Sequence, residues 1–346
     1  MPPSGIDQPI AVGNVVVTPI GRDVYAAIRT EPLGLAVNAN SLFIVNDDHV
    51  VVVDAQFTRA ATQENIAALR RVTTKPVRYV INTHWHDDHV AGNQTYRDTF
   101  PDVRFVAHAN TRVDLVERGR PNRAGQVQGA PPALDRFDRL LAMGLGADST
   151  TVTPMERASL SSAVSVMRQY VAENAGYREV LPDSVFDQRL TMTSGGRTID
   201  ERWLGRGNTR GDAVTYLPAE GILSTGDLVV APIPFGFGSY PTEWIAVLDS
   251  VKALNPKVIV PGHGPVMRDL SYVNTVQRMI RTARDETAAA AARGLSADSA
   301  LAAVRLDALR TEIAGDEKQL RAMFASFFRR PVVGRAYEEA KGGPLK

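Results

Sequence analysis

Thr83-His84-Trp85-His86-Asp87-Asp88-His89 is the stretch on which the reading of this chain turns. Three of the protein's 6 histidines fall inside it, with carboxylates among them. Neutral imidazole nitrogens packed this closely with a carboxylate make a ligand set for a borderline-soft divalent cation, and zinc is the default candidate. A polar surface loop with clustered histidines is the bland alternative. The surroundings decide between the two.

Just upstream, Val77–Asn82 is a β-branched run that follows Pro76 and reads as a strand. The cluster therefore leaves the strand's C-terminal end, where open α/β sheets place their ligands. Residues 58–71 read as a helix that Thr58 can cap, with Ile66, Leu69 and Val72 at helical spacing. Further upstream, residues 14–20 and 23–28 are short strands. Ser41–Val45 and Val50–Asp54 flank a hairpin-type turn at residues 46–49. Asp54 ends the second strand of that hairpin, either as a surface cap or as a buried acceptor behind the ligands. His49 in the turn is expected to face solvent. Downstream, residues 103–107 form another strand, and His108 after it is expected in a hydrogen-bonded structural role.

Residues 110–183 change character. Residues 119–132, rich in Gly, Pro, Gln and Asn, read as a loop. Residues 132–145 and 155–173 carry helical patterns, with Ala163, Val166, Met167, Tyr170 and Val171 on one face. This is a helical insertion on a sheet domain. Strands resume at 185–192 and 197–204, followed by a Gly-rich loop over 205–212. Residues 213–218 and 222–225 are strands, the latter ending at Gly226-Asp227. An apolar loop from Pro232 to Tyr240 and a helix over 242–254 lead to a strand that ends in Pro261-Gly262-His263-Gly264. Residues 271–346 read as three or four helices that either cover the sheet or make a homodimer contact. The expected organisation is a main domain over 14–270, the insertion at 110–183 within it, and a C-terminal helical extension over 271–346 packed on it.

With 346 residues, 44% hydrophobic and 22% charged, the composition is that of an ordinary globular protein. A formal charge of +1 leaves no electrostatic footprint for nucleic acid or an anionic membrane, so the expected partner is a small-molecule substrate. No apolar run reaches the length of a membrane span. The first seven residues lack a basic segment followed by an apolar one, so no signal peptide is expected. A cytoplasmic protein and an exported mature form with an added Met both fit. The chain has no cysteine, which removes thiolate metal sites and cysteine nucleophiles. Any metal must be held by His, Asp, Glu, Asn or water.

His84, His86, Asp88, His89, Asp227 and His263 all fall just past expected strand ends. In this order and context the chain resembles the metallo-β-lactamase superfamily. The matching pieces are the His-x-His-x-Asp-His run at His84, His86, Asp88 and His89, the pair Gly226-Asp227, and Pro261 to Gly264. The resemblance implies an α+β fold, a four-layer αβ/βα sandwich with a dinuclear metal site at one edge. Carried over by position, His84 and His86 belong to the first metal, Asp88, His89 and His263 to the second, and Asp227 bridges them. Asp54 resembles the carboxylate that supports the histidine run.

The chain departs from the family at Asn208. The first metal normally has a third histidine in a loop followed by Thr and Gly, and this loop reads Gly207-Asn208-Thr209-Arg210-Gly211-Asp212. An amide oxygen is a weak ligand beside imidazole. Three outcomes are open. Asn208 ligates weakly, water takes its place, or only the second site fills. A weakened but occupiable first site accounts best for the two histidines that remain. One or two zinc ions are expected, with iron or manganese as alternatives that oxygen-rich shells suit.

The functional expectation is a zinc-dependent hydrolase. Metal-bound hydroxide would attack an ester, lactone, thioester or β-lactam bond, and Asp88 would orient the nucleophile and take or relay its proton. Phe235, Phe237 and Tyr240 either wall an apolar substrate pocket or pack against the insertion. Arg210 is a candidate for binding an anionic group. The competing readings are a non-catalytic or weakly active metal-binding protein and a redox di-iron member of the same fold.

Overall fold

The computed structural model describes residues 6–30, 38–146, 149–343 and 345. Residues 1–5, at the start of the stretch read above for a signal peptide, lie outside this range. The chain divides into two compact units, residues 1–19, 23–106 and 112–184 in one, residues 20–22, 107–111 and 185–346 in the other.

The first unit centres on an eight-stranded sheet in which every strand lies beside its neighbour in sequence. The strands are β1 (Ile10–Val12), β2 (Val15–Gly21), β3 (Val24–Arg29), β4 (Ser41–Val45), β5 (Val50–Val53), β6 (Val77–Asn82), β7 (Arg104–His108) and β8 (Ser184–Phe186). β4 pairs antiparallel with β5, and β5 pairs parallel with β6. A parallel pair needs a crossover, and the helix Arg59–Val72 supplies it. Thr58 caps that helix by accepting from the Ala61 amide at 3.2 Å. Ile66, Leu69 and Val72 are buried, as their spacing predicts, against Phe43, Val52, Val80 and Phe105.

The insertion belongs to this unit, and it is more helical than its composition implies. Residues 120–132 are not a loop but the first half of a helix, Arg120–Ala142, with Pro131 and Pro132 inside it. Ala130 and Leu134 pack on Val164 of the helix Pro154–Asn174, with Met167 and Val171 beside them. Burial against a partner helix overrides the local preference of Gly and Pro. Tyr170 is buried as expected, and Val164 replaces Ala163 and Val166 at the centre of the packed face.

The second unit carries a sheet in the order β13-β12-β11-β10-β9, formed by β9 (Arg189–Ser194), β10 (Arg197–Trp203), β11 (Ala213–Leu217), β12 (Ile222–Val230) and β13 (Val258–His263). β12 and β13 are parallel and joined by the helix Pro241–Ala253. The strand expected over 185–192 is in fact two, β8 and β9, assigned to different sheets. The chain turns at Asp187-Gln188. His108 Nε2 donates to the Asp187 carbonyl at 2.7 Å and the Trp203 amide to that of Gln188 at 3.0 Å.

The C-terminal residues form helices Ser271–Ala292, Ala297–Ala303, Asp307–Ala314, Lys318–Met323 and Arg330–Ala340, with a π-helical stretch Phe324–Arg329, more pieces than expected. They are part of this unit's core. Val273, Val276, Met279, Ile280, Phe324, Phe328 and Val332 are buried with Leu228, Trp244, Leu248 and Ile259. Among the described residues, no large exposed hydrophobic lies in the extension. No helix of the described residues is long and apolar enough to cross a membrane.

Candidate metal centre

In the first unit, β6 delivers the histidine run and Asp54 organises it. Asp54 stands one residue past β5 with φ of 59°, a conformation that turns its carboxylate back under the run. It is buried, and both oxygens are used. Oδ1 accepts from the Thr83 amide at 2.8 Å, and Oδ2 from Thr83 Oγ1 and from His89 Nδ1, each at 2.8 Å. The Thr83 hydroxyl has one proton, given to Asp54, so it accepts from His84 Nδ1 at 3.0 Å. Each imidazole therefore has its Nδ1–H committed and its Nε2 lone pair as the acceptor that a cation could use. Asp54 is thus the buried acceptor and not a surface cap.

The backbone is pinned as firmly. The Ala55 amide and Asn82 Nδ2 both donate to the His89 carbonyl, at 2.9 and 3.1 Å. Asn82 and Asn93 exchange side-chain hydrogen bonds. His84 and His89 are fully buried, His86 and Asp88 partly so.

Asp87 plays another part. Its buried carboxylate accepts from Tyr170 Oη at 2.6 Å and from Arg123 Nη2 at 2.9 Å, both from the helical insertion. The Tyr170 ring lies flat on Phe57 with centroids 4.2 Å apart, and the Arg123 guanidinium sits 3.6 Å over the Tyr177 ring. Burial pushes the Asp87 carboxyl up from its ordinary value, against the opposing pull of Arg123 and the Tyr170 hydrogen bond. The Tyr170 hydroxyl is pushed up as well, by burial and then by the Asp87 charge.

In the second unit, Asp227 does not follow a strand. It lies within β12, where the register with β13 shifts between Ser224 and Gly226 and again before Val230. Gly226, with φ of 50°, makes that bulge. His263 is the last residue of β13, not a loop residue beyond it. The preceding Gly262 passes so close that a Cβ there would stand 2.1 Å from Asp227 Oδ1. Asn208 is fully buried in the loop after β10. Asp212 shapes this loop, accepting from the Thr209 amide at 2.7 Å and from Thr209 Oγ1 at 3.0 Å. The Asn208 amide donates from Nδ2 to the Phe235 carbonyl and leaves Oδ1 buried without a hydrogen-bond partner among the described residues.

These residues fit a metal. Ligand atoms arranged tetrahedrally at bonds of about 2.1 Å lie about 3.4 Å apart. His84 Nε2 and His86 Nδ1 are 2.9 Å apart, His89 Nε2 and Asp88 Oδ2 3.3 Å, and His263 Nε2 and Asp227 Oδ1 3.6 Å. The orphaned Asn208 oxygen is a further acceptor of the kind a cation satisfies.

The other candidates separate. Phe235 and Phe237 pack on each other at 4.7 Å and on Phe327 of the C-terminal helices, not on the insertion. Phe237 is 45% exposed. Tyr240 is buried beneath the Arg206 and Arg335 guanidinium groups, 4.3 and 5.4 Å from its ring centroid, so it supports the loop and cannot wall a pocket. Arg206 pairs with Glu243, while Arg210 offers its carbonyl to Asn110 and Trp203. His49 does not face solvent as expected but is mostly buried, held between Asn46 and Asp48 against Tyr79. His108 is structural, stacked on Trp203 at 5.1 Å. Sequence reasoning gave no part to Asp87, Arg123 or Asp212, and gave Tyr170 only a place on a packed helix face. Asp87 sat inside the motif and could have been questioned; the partners from the insertion carry no local signal.

Comparison with known proteins agrees with this geometry. The model of the metallo-β-lactamase superfamily matches residues 34–263. A linear primary-alkylsulfatase from a Pseudomonas species is 22% identical over 278 residues, 74% of this chain and 48% of that protein, so the match spans about half the alkylsulfatase's length. A type 2 metallo-β-lactamase from Bacillus cereus is 24% identical over 263 residues, 73% of this chain and 78% of that enzyme. The solved metallo-β-lactamase from Pontibacter korlensis shares the fold with a TM-score of 0.55 at 20% identity, covering 77% of this chain and 99% of that one. The family match takes in well over half of the residues, and this chain belongs to the metallo-β-lactamase superfamily.

Proposed function

We propose that the protein is a metal-dependent hydrolase whose centre is assembled from the histidine run, Asp227 and His263. The observation that carries this reading is the Asp54–Thr83 relay, which commits the Nδ1 protons of His84 and His89 and leaves each Nε2 as the acceptor nitrogen of its ring. In support, each unit brings its own candidates to ligand spacing, His84 with His86 and Asp88 with His89 in the first, and Asp227 with His263 in the second. Asn208 offers an amide oxygen where the superfamily has a third histidine, so the site of His84 and His86 is the weaker of the two.

Bound there, a zinc-type ion supplies Lewis acidity to the substrate and lowers the pKa of a water toward about 7. The chain's own residues do the rest. Asp88, with its side chain 19% exposed, accepts the proton of the attacking water. Asp54 holds His89 in one tautomer and orientation throughout. Substrates in reach are esters, including sulfate esters, lactones, thioesters and β-lactams. Phe235 and Phe237 are proposed to meet their apolar part, and Arg210 an anionic one.

Elemental analysis of the purified protein, with hydrolysis of an alkyl sulfate, a lactone, a thioester and a chromogenic cephalosporin before and after chelation, tests the reading. At least one equivalent of divalent metal and an activity lost on chelation and restored by zinc are expected. Hydrolysis indifferent to exhaustive chelation would falsify it.

A further inference from the structure

The residues of the histidine run alternate. His84, His86 and Asp88 are candidate ligands, while the two residues between them meet the helical insertion. The Trp85 ring stands edge-on to His86, centroids 4.6 Å apart, and also reaches Gly119, where a Cβ would lie 3.6 Å from it. Asp87 is gripped by Tyr170 Oη at 2.6 Å and by Arg123 Nη2 at 2.9 Å. All of these groups belong to the first unit. Asp87 opens the helix Asp87–Val90, a single turn whose N-cap, His86, makes no side-chain capping bond. A helix this short does not hold itself together in water, and its uncapped start is the weaker end. The far end is pinned by the Ala55 and Asn82 bonds to the His89 carbonyl. The start is pinned by the grip on Asp87. That grip is itself rigid, because buried Tyr170 stacks on Phe57 and the mostly buried Arg123 lies over Tyr177.

We infer that the helical insertion positions the candidate metal ligands, with Tyr170 and Arg123 acting through Asp87 on Asp88 and His89. The inference rests on the metallohydrolase reading and gives the insertion a part in it. Successive residues on a helix point about 100° apart, so fixing the direction of Asp87 also fixes those of Asp88 and His89 on the same turn. Asp88 Oδ2 and His89 Nε2 stand 3.3 Å apart, at ligand spacing. Without the Tyr170 hydroxyl, Asp87 keeps one anchor of two and the turn gains freedom. The pair must then be ordered as the metal binds, and that entropy cost is read as lost affinity, separately from any lost stability.

Zinc affinity of the folded protein, measured by competition with a chromophoric chelator, separates positioning from stability. Tyr170→Phe is expected to weaken zinc binding about tenfold. Val17→Ala trims the core of the same unit on β2, four places along the sheet from β6. It is expected to lower the urea midpoint and leave zinc affinity unchanged. Asp87→Ala removes the point of attachment, so adding Tyr170→Phe to it should cost no further affinity. Tyr170→Phe protein that binds zinc as the wild type does overturns the inference and leaves the metallohydrolase reading intact. So does Val17→Ala protein that loses as much affinity, or a double variant whose losses add. Wild-type protein that binds no zinc overturns the metallohydrolase reading, and this inference falls with it. If Asp87→Ala does not fold, the comparison of Tyr170→Phe with Val17→Ala decides.

Discussion

Asp54 shows how one carboxylate can set the chemistry of its neighbours without touching a ligand position. Its three accepted hydrogen bonds fix the tautomer of His89 directly and that of His84 through Thr83. Asp54→Ala is expected to weaken zinc binding about 10- to 100-fold, measured by competition with a chromophoric chelator. An affinity unchanged by the substitution would show that the relay does not organise the ligands. Gly262 acts by having no side chain. A methyl group there would strike Asp227 Oδ1 at 2.1 Å and force the carboxylate aside. Gly262→Ala should lower kcat/KM about 100-fold, the order of effect that a displacement near 1 Å produces, while circular dichroism stays that of the native fold. At this scale the candidate ligands were legible from residue type and spacing, because imidazoles and carboxylates have few other reasons to cluster. Asp212 and Asp87 were not, because a carboxylate's partner is set by what folds against it.

Each unit uses the same device at the scale of elements. A parallel strand pair is joined by a helix, with β5 and β6 around Arg59–Val72 and β12 and β13 around Pro241–Ala253. The candidate ligands ride on or just beyond the second strand of each pair, apart from Asp227 in the β12 bulge. The helical insertion fastens onto the histidine run through Asp87, Arg123 and Tyr170. Tyr170→Phe keeps the stacking on Phe57 and removes only the hydroxyl. It should destabilise the protein by about 1–3 kcal/mol in urea denaturation, since the buried Asp87 carboxylate loses a donor. No loss of stability would mean that Arg123 alone satisfies Asp87. The strands were readable from their β-branched runs. The helix through residues 120–132 was not, because Gly and Pro argue locally against it and only burial of Ala130 and Leu134 argues for it.

The whole chain is stabilised by residues well outside the family match. Phe324, Phe328, Val332 and Val333 are buried in the core of the second unit. Phe328→Ala is therefore expected to cost about 3–5 kcal/mol, read as a lower urea midpoint at constant slope. A cost below about 1 kcal/mol would place the C-terminal helices outside the cooperative core. Metal should act on the same equilibrium. Zinc at about 100 times its dissociation constant adds about 2.7 kcal/mol to the folded state, so chelation should lower the melting temperature measurably. A melting temperature indifferent to chelation would argue against a metal bound to the native fold.

The sequence by itself determined the family, and the types and order along the chain of the candidate ligands. It also determined the helix and strands that carry the histidine run, since all of these rest on residue chemistry and short-range periodicity. Only the tertiary structure decided that Asp54 lies behind the ligands rather than at the surface, that Tyr240 is buried support, and that the Asn208 amide gives its nitrogen to Phe235 and withholds its oxygen. Hydrogen-bond partners distant in sequence fix those states, and no local pattern encodes them.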